Sequence, residues 1–131
     1  MGQQQLLLIV LGVIIVGIAV VVGINLFNAN AESSTQDSIV SQGTNIGAMA
    51  QQYYKKPLAM GGGGNSYVDF TTKAFNHLPT ALTSSTDATW VVTSEADSSV
   101  VFTATPKDAG YAASWTVKTT VTPSGIISAI Q

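Results

Sequence analysis

The chain has 131 residues, of which 9% are charged: five Lys and no Arg against seven Asp and Glu, for a net charge of −2. That length is one modest domain, or one domain with an appendage, and so sparse and slightly acidic a charge excludes a basic field able to draw in nucleic acid. Cys is absent, which excludes disulfide staples, thiol nucleophiles and c-type haem attachment.

Leu6 to Ile24 (LLLIVLGVIIVGIAVVVGI) is a nineteen-residue run with no charge, no Pro and nothing more polar than Gly, and no charged side chain precedes Glu32. A bilayer needs about 20 apolar residues, so the run is long enough to span one. The rival is a cleavable signal peptide. Ala29-Asn30-Ala31 has the small-residue pattern of a cleavage site, but Met1-Gly2-Gln3-Gln4-Gln5 supplies no basic side chain and the apolar run is longer than such peptides use. As a buried core helix it would be about 28 Å long at about 1.5 Å per residue, more than the remaining chain could surround. Gly12, Gly17 and Gly23 each cost about 1 kcal/mol relative to Ala in a helix interior. Two compatible readings are close helix–helix packing at small residues and a segment able to loosen or bend.

Between Leu26 and Lys56 there is no Pro, and the pattern turns amphipathic. Ile39, Ile46 and Tyr53 recur every seven residues; Gly43, Met49 and Ala50 fall on or beside that stripe, and Glu32, Gln36, Asp37, Gln42 and Gln51 lie mostly off it. The pattern predicts one helix from about Gly2 to Lys56, about 80 Å long at that rise. Lys55 and Lys56 suit its C-terminal end, and Pro57 and the Gly61–Gly64 run terminate it. Met60 to Ser66 reads as a flexible connector. It is not a phosphate loop, since a helix precedes it and no Lys-Ser/Thr follows.

Tyr67 to Thr89 reads as irregular, with a short strand at Tyr67–Phe70, apolar anchors at Phe75, Leu78 and Leu82, and a solvated loop at Thr83–Asp87. From Thr89 the period becomes two. Strands are predicted at Thr89–Glu95, Ser99–Thr105, Tyr111–Val121 and Ile126–Ile130. Ala96-Asp97-Ser98, Pro106–Gly110 and Pro123-Ser124-Gly125 turn the chain between them. Such short connections imply an antiparallel meander and an α+β fold. A sheet this small needs cover. The expected cover sets Ile39, Ile46, Met49 and Tyr53 against Trp90 or Val91, Phe102, Trp115 and Val117. The domain reading is an apolar spine helix over 1–31 and a head over 32–131.

Reactive chemistry is hard to place. His77 stands alone, no zinc-ligand spacing occurs, and no G-x-S-x-G nucleophile motif is present. Glu95 and Asp97 read as solvated turn charges, too few for a calcium cage. Tyr53, Tyr54, Trp90 and Trp115 are explained by core packing. No catalytic, cofactor-binding or metal-binding residue is assigned, no cofactor is expected, and an enzyme is the class least supported.

A long N-terminal helix, apolar and then amphipathic, followed by a loop and a small antiparallel meander, resembles the type IV pilin family with its pseudopilins and related filament subunits. Leu6–Ile24, the Ile39/Ile46/Tyr53 stripe and the strands from Thr89 carry the resemblance. It spans the chain as architecture, while the family's specific motifs are confined to about the first 30 residues. The family has a short basic leader and a Glu five residues into the mature chain. Here no basic leader precedes the run. Gln5 stands in the place of that Glu if Met1 begins the mature chain (Leu7 if processing follows Gly2). Gln5 can accept a hydrogen bond from a neighbour's N-terminal amine without supplying charge. The family's helix-bending Pro and its C-terminal disulfide loop are also missing, with Gly17 and Gly23 available for the bend.

The resemblance implies a structural subunit of an extracellular helical homopolymer. Its precursor would sit in the inner membrane and be assembled by dedicated machinery. The assembly core would be Leu6, Leu7, Leu8, Ile9, Leu11, Val13, Ile14, Val16, Ile18, Val20, Val22 and Ile24. Physics leads to the same place: an apolar rod on a water-facing head is stable either in a bilayer or among other rods, and repeating a heterologous contact that does not close builds a filament. The alternatives are a single-pass membrane-anchored binding module and a pseudopilin of a secretion system.

Overall fold

The computed structural model describes residues 2–107 and 115–131. The chain divides into two units, Met1–Ser34 and Thr35–Gln131, and a single helix, α1 (Gln3–Lys55), passes through the boundary. In the first unit every residue from Gly2 to Asn30 is exposed. In the second, α1 buries one stripe: Ile39, Gly43, Ile46, Gly47, Ala50 and Tyr53. This is the i, i+4, i+7 recurrence of an amphipathic helix. Met49, expected within it, is half-buried at its margin. The stripe is centred toward Gly43, Gly47 and Ala50, so the residue one step before Ala50 turns away from the sheet.

Four strands, β1 (Ala88–Glu95), β2 (Val100–Pro106), β3 (Val117–Thr122) and β4 (Gly125–Ile130), form one sheet in the order β1-β2-β3-β4. Each neighbouring pair is antiparallel, and the fold is α+β. The register lines up Trp90, Ala104, Val117 and Ile130 in one row, and Val92, Phe102, Thr119 and Ser128 in the next. The helix covers the face carrying Trp90, Phe102, Val117, Thr119 and Val121, all buried; Val91, on the other face, is 54% exposed. The opposite face carries Thr89, Thr103, Thr105 and Thr120, the polar-out half of a period-two pattern. The predicted strand Tyr111–Val121 is described only from Trp115 onward: Trp115 is buried, Thr116 and Gln131 exchange backbone hydrogen bonds of 2.7 and 2.8 Å, and β3 follows. Tyr111–Ser114, and Asp108–Gly110 of the preceding turn, lie outside the described residues.

Three expectations are corrected. Tyr67–Phe70 is no strand. Asp69 adopts a positive φ of 65°, the chain turns, and Phe70–Lys73 forms a short helix, α2. A 3-10 turn (Phe75–His77) and a further short helix, α3 (Thr80–Thr83), follow. This places Phe70 at ring-centroid distances of 5.2 Å from Tyr53 and 5.5 Å from Phe102, with Phe75 stacked 5.8 Å from Phe102.

Met60–Ser66 is no free connector either. The backbone N–H groups of Gly63, Gly64 and Asn65 donate to the carbonyls of Tyr53, Lys56 and Tyr54 at 2.9, 3.0 and 2.8 Å, so the loop caps the orphan carbonyls at the end of α1. At Gly63 a Cβ would run into the Ser66 carbonyl and the Tyr53 ring, which is why this cap is built of glycine.

Finally, Thr83–Asp87 is docked rather than solvated. Ser38 Oγ donates to Asp87 Oδ2 at 2.7 Å, and Ser85 Oγ donates to Gln42 Oε1 at 2.9 Å.

The approach of α1 to the sheet is set at Gly43. A Cβ there would sit 2.6 Å from both the Trp90 ring and Thr119 Oγ1. Thr119 is fully buried and its hydroxyl is already engaged with Ser128 Oγ at 2.9 Å, so it cannot swing aside freely. Gly43→Ala is expected to destabilise the second unit by about 1–3 kcal/mol, the usual cost of overpacking, read as a lowered thermal midpoint by circular dichroism in detergent. Gly12→Ala, where nothing lies within 4 Å, is the control. Equal midpoints for Gly43→Ala and wild type would refute the close approach.

Candidate functional site

The residues read from the sequence as an assembly core are all found on one continuous surface of the first unit. Leu6, Leu7, Leu8, Ile9, Leu11, Val13, Ile14, Val16, Ile18, Val20, Val22 and Ile24 are each 49–68% exposed. Val10, Ile15, Val21, Leu26 and Phe27 are exposed to the same degree and belong with them; Phe27 reaches 73%. No sequence signal could have ranked these against the others, because the run is apolar around its whole circumference and has no preferred face. No residue of the most apolar stretch is buried, and the stretch is long and apolar enough to cross a membrane. Gly12, Gly17 and Gly23 have open space where a Cβ would project. Within its own chain nothing demands glycine at these positions. Gln5 is exposed and its backbone N–H donates to the Gly2 carbonyl at 3.2 Å, in the first turn of the helix.

The predicted helix–sheet packing residues come together in the second unit. Ile39, Ile46, Tyr53, Phe102, Trp115 and Val117 share one core cluster with Trp90, Tyr67 and Phe70. Met49 instead lines a cleft of about 330 Å³ with Tyr53, Phe70 and Leu78 on its walls and Lys56 and Lys73 beside them. Lys73 Nζ lies 3.5 Å from Asp69 Oδ2. Tyr53 donates its hydroxyl to the Val68 carbonyl at 3.1 Å. Burial, then the negative charges of Asp69 and Glu95, raise its phenol above the ordinary range.

Asp97 is exposed in the turn, as expected, whereas Glu95 is half-buried at the end of β1, and both accept hydrogen bonds. Glu95 accepts from both the backbone N–H (2.7 Å) and the hydroxyl of Thr71, and Asp97 accepts from Ser66 Oγ at 3.1 Å. They tie β1 and its turn to the segments that follow the glycine cap. Ser38, Gln42, Asp87 and Gly43 were likewise not singled out from the sequence for these roles. The alternation around Trp90 and the polar residues of α1 were visible, but their partners lie more than forty residues away. His77 is exposed, and among the described residues no three His, Cys, Asp or Glu side chains gather as metal ligands would.

Tyr67 is fully buried, and its hydroxyl has no hydrogen-bond partner among the described residues; its ring lies 4.9 Å from that of Tyr54. Burial, and secondarily Tyr54, raise its pKa. A phenol ionises near pH 10 in the unfolded chain (about 10). With the folded value above that, stability is level below the unfolded pKa and falls as pH rises from there through the folded value. Tyr67→Phe is therefore expected to unfold at or above the wild-type midpoint at neutral pH and to lose less stability under alkaline conditions. A lower midpoint at neutral pH, measured by the same thermal melt, would mean the hydroxyl is bonded after all. Comparison with protein-family models, with characterised proteins and with solved structures found no match for this chain.

Proposed function

We propose that this chain is the structural subunit of an extracellular, type IV pilus-like helical filament, in which the Leu6–Ile24 span of each copy leaves lipid to be buried among the same span of its neighbours. The observation that carries this reading is that no residue of that span is buried in the isolated chain, its large side chains being about half or more exposed. Fully burying a large apolar side chain is worth about 1.5–3 kcal/mol, so the span as a whole contributes on the order of tens of kcal/mol, gross, to any assembly that covers it. The resemblance to pilins in the order of elements supports the same reading. A pseudopilin of a secretion system shares these features and differs in polymer length. A membrane-anchored binding module is the second reading, favoured by the cleft beside Tyr53 and Phe70.

Electron microscopy of native material tests the proposal. Filaments are expected, and monodisperse, detergent-soluble monomers would support the binding module instead. Val13→Asp is expected to abolish filaments, because an unpaired carboxylate would be buried among apolar side chains, while Ser124→Asp in the exposed β3–β4 turn leaves them intact. Normal filaments from Val13→Asp would overturn the proposal.

A further inference from the structure

Most charged side chains of the second unit are bonded within it. Lys73 pairs with Asp69 (3.5 Å), Glu95 with Thr71, Asp97 with Ser66 (3.1 Å), Asp87 with Ser38 (2.7 Å) and Lys107 with Ser84 (2.8 Å). Among the described residues of this unit, those left without such a bond are Asp37, Lys55, Lys56 and Lys118. Lys118 stands on the outer face of the sheet. The other three lie on α1 or directly after it, and all three are exposed.

Asp37 and Lys55 are eighteen residues apart on α1. At about 3.6 residues per turn that is about five whole turns, so the two side chains leave the helix on the same face, about 27 Å apart along its axis. Between them the face carries the small, uncharged and exposed Ser41, Thr44 and Ala48, with the uncharged Gln51 and Gln52 flanking it near its Lys55 end, on the side opposite the stripe that meets the sheet. One face of one helix thus carries an acid at its start, a base at its end and only uncharged side chains between.

We infer that this face is an interface between copies of the chain: Asp37 of one copy meets Lys55, with Lys56 beside it, of a parallel copy displaced by about 27 Å along the helix axis. The inference rests on the filament reading and adds to it what fixes the axial register. Apolar side chains that are alike along their length let parallel rods slide past one another, whereas a single polar or charged contact selects one register. Each copy offers its acid to one neighbour and its base to another. The contact is heterologous and propagates. An antiparallel pairing would satisfy both charges within a closed dimer and is the competing arrangement.

The absence of native Cys makes cross-linking decisive. Asp37→Cys/Lys55→Cys, oxidised in native filaments, is expected to run as a ladder of multimers on a non-reducing gel, and either single variant as monomer. Charge reversal gives a second reading. Asp37→Lys alone or Lys55→Asp alone is expected to raise the critical concentration for assembly about tenfold, an attraction of modest size being replaced by a repulsion at every contact, and the double exchange restores it. Cross-linked dimers without higher multimers, no cross-link at all, or single reversals that assemble as wild type would overturn the register contact while leaving the filament reading standing. Absence of filaments in the wild type would remove both.

Discussion

A helix satisfies its own backbone hydrogen bonds wherever it is placed, so what α1 tolerates around it is decided by side chains alone. Over Leu6–Ile24 those side chains are apolar in every direction. An amphipathic helix answers such a demand by turning one stripe to its own core, and α1 does so only from Ile39 onward. The earlier part has no stripe to turn. An apolar surrounding on all sides, as lipid or other helices of the same kind would provide, is the one such a surface favours. The core of the second unit is assembled from that unit's own residues.

The second unit holds together through two kinds of contact. Its apolar centre runs from Ile39, Ile46 and Tyr53 through Trp90 and Phe102 to Val117 and Val121, and aromatic rings in edge and stacked geometry (Tyr53, Phe70, Phe75 and Phe102) close one end. Around that centre, short polar side chains fasten loops to elements distant in sequence. Ser38 and Gln42 hold the segment before β1, and Thr71 and Ser66 are held by the acids at the end of β1. Most of the few charges of this unit are engaged in such internal bonds, whereas Asp37, Lys55 and Lys56 are not.

Much of this architecture was legible in the chain itself, because the signals for it are local. The apolar run, the seven-residue recurrence of Ile39, Ile46 and Tyr53, the breakers at Pro57 and Pro123, and the period-two stretches around Trp90, Phe102 and Val117 each declare an element without reference to anything else. What could not be read depends on partners far along the chain. The glycine run looks like a hinge until its N–H groups are seen on the carbonyls of α1. Thr83–Asp87 is composed like a solvated loop, and only Ser38 and Gln42 make it otherwise. Trp90 and Val91 alternate equally well; the gap left by Gly43 decides that the indole, and not the valine, faces the helix. Asp69 gives no warning of the positive φ that replaces a short strand by α2. The apolar span was legible as a whole, whereas Gln5 before it and the three glycines within it have no contact among the described residues that assigns them a role.

The earliest residue in the core of the second unit is Ile39, and the strand order β1-β2-β3-β4 follows the order of synthesis. Among the described residues, the core cluster of this unit includes none from Gly2–Asn30. The residues that make this core are thus all synthesised after the N-terminal segment, and the surroundings of that segment do not enter it.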